Sequence, residues 1–420
     1  MSPESVVAAL GPRSGVAWLD SGAADHGWSV IAWDPVQIVT DGRGWPTSGR
    51  SLSSIADARR GDDDPPFVGG VIGYLGFGVG HYTATLPPQG PTPEPELWLA
   101  RYEGALCYRH RDQTWHPTGP ARLRREASAL LARACPLPPP PDPPPDATSR
   151  TVDRQGYEAS VEQILAWIQA GDCYQVNLSR PVSVQPIGDA FGAYRRLRRF
   201  QADYGAWIQL DGGRAVLCNS PELFLAIDGR RVCSEPIKGT RPRGEDPATD
   251  ARLGRQLLES SKDRAELTMI VDLVRNDLGR IASLGSVTTQ ARTLVSHPTV
   301  HHTAQRVSAE LRPGADAWDA LAATFPPGSV TGAPKVRAVQ RISQLERHPR
   351  GVYCGAIGFV SDCGTARFNV AIRTAVAWGD QVRYHVGGGV VAASDPAGEW
   401  AETQDKEAAL ARALLPRPGP

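Results

Sequence analysis

No stretch of this sequence approaches the ~18 consecutive apolar residues that a membrane-spanning helix needs, so such a helix is excluded. The N-terminus lacks a basic segment followed by an apolar run, and no secretory leader is expected. No Cys-x-x-Cys pair occurs. The seven cysteines are scattered, odd in number and part of no metal-ligand cluster, as expected of reduced thiols in a reducing compartment. An excess of one charge is missing too. Lys+Arg and Asp+Glu each number 45, which removes any electrostatic case for nucleic acid or an anionic membrane surface. There is no internal repeat. These absences point to a soluble cytoplasmic protein, and 420 residues leave room for two or three average domains or one large one.

What is present begins with proline. Pro138 to Pro145 is broken only by Asp142 and must be an extended connector without hydrogen-bonded structure. It divides an N-terminal region (1–135) from a larger one (150–415), with 136–149 as linker. In the first region, Trp28–Trp33 predicts a strand stopped by Asp34-Pro35. Phe67–Gly80 is glycine-rich and apolar; close packing in a core is favoured over phosphate binding, because no strand–helix unit follows. Glu96–Tyr102 and Ala105–Tyr108 predict a hairpin. In the second region, Tyr157, Val161, Ile164, Leu165 and Ile168 have helical spacing ending near Gly171. Cys173–Ser179 alternates as a strand, and Ala190–Phe200 predicts a helix. Four strand-like runs follow (Ala206–Leu210, Ala215–Cys218, Leu223–Ile227, Arg231–Ser234), with turns at Asp211-Gly212-Gly213 and Asp228-Gly229. Long helices are expected over Asp250–Leu278 and Thr299–Leu311, then strands, then a helix from about Glu399. The order is α+β rather than alternating βαβ.

Several residues carry chemistry. Lys238, in Pro236-Ile237-Lys238-Gly239-Thr240, sits in a mostly apolar, turn-like segment, where burial would depress its pKa and free a nucleophilic amine. Glu399 and Glu402 share a helical face and suit Mg²⁺; an ordinary charged face with a Glu402–Lys406 pair is the commoner meaning. Glu266 lies on a helix with Ile270 and Leu273 and is by itself more often a solvated or paired residue. Gly387-Gly388-Gly389 allows close backbone approach to a carboxylate, or is a bulge or turn. Gly328–Lys335 looks like a helix-start anion site without a P-loop. Arg373, read on an apolar strand, needs an anionic partner, from a ligand or a salt bridge. His301-His302, with His297 nearby, lacks partners for zinc and is equally a packed pair.

Taken in order, Ala170–Ser179, Ser220–Phe224, Pro236–Arg241, Asp263–Asp277, Val300–His302, Gly332–Lys335, Gly351–Tyr353, Gly387–Gly389 and Glu402-Thr403 resemble the chorismate-utilising enzyme family over nearly the whole chain. The resemblance implies two large antiparallel sheets packed face to face, helices outside and the active site between. It implies Mg²⁺ held by Glu266 and Glu402, with Glu399 beside them. It further implies that Tyr353, Arg373, Thr331, Thr240, Lys406 and the Gly387–Gly389 amides surround the substrate carboxylates, with His302 near the ring carboxylate.

Two positions choose within the family. Isochorismate and salicylate synthases carry a lysine where Gln175 stands; an amide cannot activate water, so ammonia is the expected nucleophile. Anthranilate synthases usually have alanine at 238, whereas the aminodeoxychorismate synthase branch has lysine. The resemblance therefore implies amination at C4 of chorismate, with Lys238 as nucleophile, Glu222 as acid/base and Glu266 contributing. Ammonia would come from a separate glutamine amidotransferase subunit in a heterodimer. The rivals are anthranilate synthase component I and a non-catalytic chorismate-binding regulatory subunit.

Overall fold

The structure is a computed structural model that describes residues 1–21, 27–54, 61, 63–82, 86–297 and 300–416. Among these, one antiparallel sheet has 11 strands, a second 9 and a third 3. The two large sheets pack face to face. Alternation along each strand explains the layering. In Gly70–Leu75, Ile72 and Tyr74 point between the sheets, while Val71 and Leu75 point to the outer side. The inter-sheet core joins Ile72, Tyr74, Trp98 and Phe359 of one sheet to Ala17, Val30, Ile208 and Val216 of the other. Outside the 9-stranded sheet lies a second core, shared with Leu267, Ile270 and Val274 of the Ser261–Gly279 helix. Outside the 11-stranded sheet, a third core joins Tyr194 and Leu197 to Leu410 and Leu414 of the C-terminal helix. Each fully buried aromatic or large aliphatic side chain stabilises this arrangement by ~1.5–3 kcal/mol. The expected architecture is thus the one found.

Both large sheets take strands from either side of the proline connector. Ala17–Asp20 pairs with Tyr204–Gln209, and Gly70–Leu75 pairs with Ala356–Ser361. The connector is strapped down: Arg196 Nη1 donates to the Pro141 carbonyl at 2.6 Å, and Arg195 to that of Pro138.

Four local expectations are corrected. The Glu96–Tyr108 hairpin does not form. Leu97–Tyr102 belongs to the 9-stranded sheet and Leu106–Arg109 to the 11-stranded one, so Glu103–Ala105 carries the chain between sheets. Any Cβ at Gly104 would run into the backbone of Thr118 and Gly119. The predicted Asp250–Leu278 helix is two, Pro247–Glu259 and Ser261–Gly279, broken where the Ser260 hydroxyl accepts the Asp263 N–H and caps the second. The predicted helix from Thr299, itself outside the described residues, is instead two strands, Val300–Ala304 and Val307–Glu310. His302 and Ala304 alternate there with His301 and Thr303, and pairing on both sides of the first strand overrides a weak helical pattern. Finally, Lys238 is not in a turn. It lies in the Ile237–Pro242 strand of the small sheet, at a register shift where Gly239 has φ 69°.

Candidate active site

Three elements frame the site, and Lys238 reaches it from the Ile237–Pro242 strand. The first is the Gln381–Val391 strand, which runs unbroken through all three glycines, so they form neither bulge nor turn. It pairs with Gln175–Gln185, placing Gly387 opposite Ser179 and Gly389 opposite Asn177. The second is the Ser261–Gly279 helix. Its buried stripe (Asp263, Leu267, Ile270, Val274, Asp277) faces the core, and Glu266, one position off that stripe, sits half-buried at its edge. The third is the C-terminal helix Pro396–Leu414, capped by Asp395, which brings Glu399, Glu402 and Lys406 alongside the glycines.

Distances tie these together. Lys238 Nζ lies 2.9 Å from Glu266 Oε1. Gln175 Nε2 donates to the same oxygen at 3.5 Å. A Cβ on Gly389 would collide with Gln175 Nε2 and come within 3.1 Å of Glu266 Oε1. One on Gly388 would stand 3.0 Å from Glu399 Oε2 and 3.2 Å from Glu402 Oε1. Glycine is required here by space, because three carboxylates crowd one short piece of backbone. Lys406 Nζ binds Glu402 Oε1 at 2.6 Å and the Gly387 carbonyl at 3.1 Å. The structure thus brings Lys238, Glu266, Gln175, Gly387–Gly389, Glu399, Glu402 and Lys406 into one cluster.

The electrostatics correct one expectation. Burial does pull the Lys238 pKa down, but the carboxylates of Glu266, Glu222 and Glu402 outweigh it, and the net shift is upward. The resting side chain is an ammonium, not a free amine. Glu222, 3 % exposed, is pushed up to about 7 by burial, against the opposing pull of Ser329 and Lys238. Its Oε1 has no partner among the described residues, and a carboxyl titrating there is poised to exchange a proton near neutrality. Glu402 is exposed on its helix; some desolvation opposes ionisation, but Lys406 and then Lys238 hold it below the usual carboxylate range. Burial raises Glu399; its Oε1 accepts the Ser394 hydroxyl at 2.5 Å, and among the described residues its Oε2 is left without a partner.

A second group lies across the small sheet. His302 Nδ1 is 3.1 Å from Thr240 Oγ1 and 3.0 Å from the Gly239 carbonyl, while its buried Nε2 has no partner among the described residues. Burial, and then the Arg373 charge, push its pKa down to about 3, so the ring is neutral. Arg373 is not on a strand; it stands between Thr365–Val370 and Thr374–Trp378 with φ 49°. Desolvation lowers it to about 10, and among the described residues no carboxylate offsets this. A strained, half-buried guanidinium with no carboxylate paired to it among the described residues suits an anionic ligand chemically.

The remaining residues are less directly joined. The Thr331 hydroxyl turns back onto the Gly328 carbonyl at 3.1 Å, while its own carbonyl accepts the Asn177 N–H at 2.9 Å. Tyr353 stacks on His385, centroids 5.5 Å apart. Neither bonds to the carboxylate cluster. The Gly328–Lys335 segment is not an anion site built on its lysine: Lys335 Nζ is taken up by Asp277 at 2.6 Å and the Thr324 carbonyl at 2.7 Å. Ser394, which orients Glu399, had no signal in the sequence; a serine near a helix start reads only as a cap.

Among the described residues no three carboxylate, imidazole or thiolate groups converge as a ready metal cage. Two of the three glutamates are instead held by lysines. The donor set still fits Mg²⁺, which takes one or two carboxylates and fills its octahedron with waters and substrate oxygens. The orphaned Glu399 Oε2 and the room left by Gly388 are the observations behind that fit.

Residues 16–412 match the model for chorismate binding enzymes, and the chain belongs to that family. Aminodeoxychorismate synthase component 1 of Salmonella typhimurium is 38% identical over 354 residues, 82% of this chain and 76% of that one. Anthranilate synthase component 1 1 of Haloarcula marismortui is 35% identical over 436 residues, 96% of this chain and 88% of that one. The crystal structure of anthranilate synthase component I from Streptococcus pneumoniae superimposes with a TM-score of 0.80 at 27% identity, covering 91% of this chain and 92% of that one. Family and fold are those the ordered motifs implied. Among the described residues no helix is long and apolar enough to cross a membrane.

Proposed function

We propose that this chain aminates chorismate at C4, forming 4-amino-4-deoxychorismate on the route to p-aminobenzoate, with ammonia from a separate glutamine amidotransferase subunit. The observation that carries the reading is Lys238 Nζ inside the carboxylate cluster, 2.9 Å from Glu266, with the non-basic Gln175 beside it. Arg373 and the Gly387–Gly389 amides would take the substrate carboxylates, with Lys406 nearby and Thr331 and Tyr353 lining that side. His302 and Thr240 would face the ring carboxylate.

Lys238 first gives its proton to Glu266, the carboxylate it already touches. Its lone pair then attacks C2, the ring double bond shifts, and the C4 hydroxyl leaves as water with a proton from Glu222. Ammonia attacks C4, the double bond shifts back, and the lysine amine is expelled; Glu222 takes up the proton that ammonia sheds. Two displacements return nitrogen to the carbon that lost oxygen, without inversion. Mg²⁺, held by Glu266 and Glu402 near Glu399, would neutralise charge developing on the ring carboxylate.

Incubation with chorismate, Mg²⁺ and an ammonium salt tests the reading. A product that a lyase converts to p-aminobenzoate is expected. Fluorescent anthranilate with pyruvate would establish the rival, which the 96% coverage by the Haloarcula relative favours. No turnover with ammonium or with a partner amidotransferase would favour a regulatory subunit.

A further inference from the structure

Arg350 and Glu346 form an ion pair whose side chains are 0 % and 5 % exposed, at 2.7 Å. No step above uses them. Buried ion pairs contribute little net stability, because desolvation offsets most of their attraction. The geometry around this pair is therefore informative. Arg350 Nε donates to Glu346 Oε2 at 2.8 Å. Its Nη2 donates to Glu346 Oε1 and, at 2.6 Å, to the Asn177 carbonyl. Its Nη1 donates to the Val330 carbonyl at 3.0 Å. Glu346 Oε1 in turn accepts the Ser179 N–H at 2.8 Å and hydroxyl at 3.0 Å. The guanidinium carbon lies 4.6 Å from the ring centre of Phe77 and 5.9 Å from that of Tyr353.

Each contact ends on a wall of the cleft. Asn177 and Ser179 are the register partners of Gly389 and Gly387. Val330 precedes Thr331. Tyr353 lies three residues beyond Arg350, and its N–H donates to the Arg350 carbonyl at 3.1 Å. The glycine-rich N-terminal segment closes the fourth side: the Phe77 N–H donates to the Gly351 carbonyl at 2.8 Å, and Gln89 Oε1 accepts the Arg350 N–H at 2.9 Å. An apolar pair of equal volume would fill the space but bind none of these carbonyls.

We propose that Arg350, paired with Glu346, is a positioning residue for the substrate-carboxylate side of the cleft, holding the glycine strand, the Thr331 loop and Tyr353 in one register. The proposal rests on the chorismate reading above. It also gives the Phe67–Gly80 segment a role: Phe77 seats the guanidinium, so the N-terminal region shapes a site whose ligand-facing residues all follow the proline connector.

The test is calorimetric titration of chorismate, in ammonium-free buffer with Mg²⁺, into the wild-type chain and the variants Arg350→Lys, Ser179→Ala and Phe77→Leu. Thermal melts and steady-state rates accompany it. Lysine keeps the charge but loses the planar fork, and should weaken chorismate binding ~10-fold or more while kcat at saturation stays within ~3-fold. Ser179→Ala removes one hydroxyl bond to Glu346 and should weaken binding ~2–5-fold. A lowered melting temperature with unchanged chorismate affinity in all three variants overturns the proposal and leaves the pair structural only. Wild-type protein that binds no chorismate overturns the functional reading, and the proposal with it. Should Arg350→Lys fail to fold, the Ser179 and Phe77 variants decide by the same criterion.

Discussion

Two buried lysines, on either end of one helix, behave in opposite ways. Lys238 and Lys335 are 12 % and 10 % exposed, and each grips a carboxylate of the Ser261–Gly279 helix, Glu266 at 2.9 Å and Asp277 at 2.6 Å. Burial disfavours the charge on both. At Lys238 three glutamates outweigh burial, and the pKa rises. At Lys335 burial prevails: Asp277 opposes it, Arg280 reinforces it, and the pKa falls. Burial likewise raises Asp277. One lysine stands among three glutamates. The other plugs a sealed junction between helices. Burial alone therefore does not set the charge state of a lysine; the number of carboxylates around it does.

The largest expected effect sharpens this contrast. Lys238→Ala should cut C4 amination by ~10²–10⁴-fold while leaving chorismate binding largely intact. Normal turnover in that variant would remove Lys238 from the chemistry. A mass adduct on Lys238 in a stalled reaction would establish its covalent role. Next comes stability. Lys335→Met leaves the buried Asp277 to the exposed Arg280, 3.1 Å away, and should cost about 3 kcal/mol by denaturant unfolding, whereas Lys238→Met should cost less than about 2 kcal/mol. The reverse order would break the comparison.

Metal affinity should change less. Glu402→Gln removes a carboxylate that Lys406 and Lys238 keep ionised, and should raise the half-saturating Mg²⁺ concentration ~10–100-fold. An unchanged Mg²⁺ titration would refute the ligand assignment. The smallest effect is on pH dependence. Burial lifts Glu222 to about 7, above the ~4.3 of an unperturbed glutamate, so the folded chain keeps a proton that the unfolded chain releases between them. The stability that proton carries is complete below about pH 4.3 and is lost as pH rises through about 7. Glu222→Gln should flatten the fall in stability over that window, and an identical slope in both proteins would contradict the raised pKa.

Much of this molecule was legible in its order of residues. Alternating apolar positions announced the strands from Ala206 to Ser234, and the hairpin turns at Asp211–Gly213 and Asp228-Gly229 formed where the glycines stand. The motifs Glu266, Glu402 and Gly387–Gly389 were visible singly. Spacing alone did not show their convergence, which only the family resemblance implied, because more than a hundred residues separate Glu266 from Gly387 and helix-to-sheet packing joins them. Local pattern failed where pairing with distant strands decided conformation, as at Val300–Ala304 and between Tyr102 and Leu106. It also missed Glu346 and Arg350, since a charged pair after a helix reads as surface until its burial is seen.

By itself, then, the sequence determined the family, the α+β architecture and the residue types available for chemistry, since these follow from composition, periodicity and motif order. Tertiary structure alone decided the state of those residues. Whether Lys238 is an ammonium or an amine, whether Arg373 has a counter-ion and whether Glu222 titrates near neutrality depend on which charges lie within a few ångströms and how little water lies between them. Neither quantity exists along a chain; both arise when it folds.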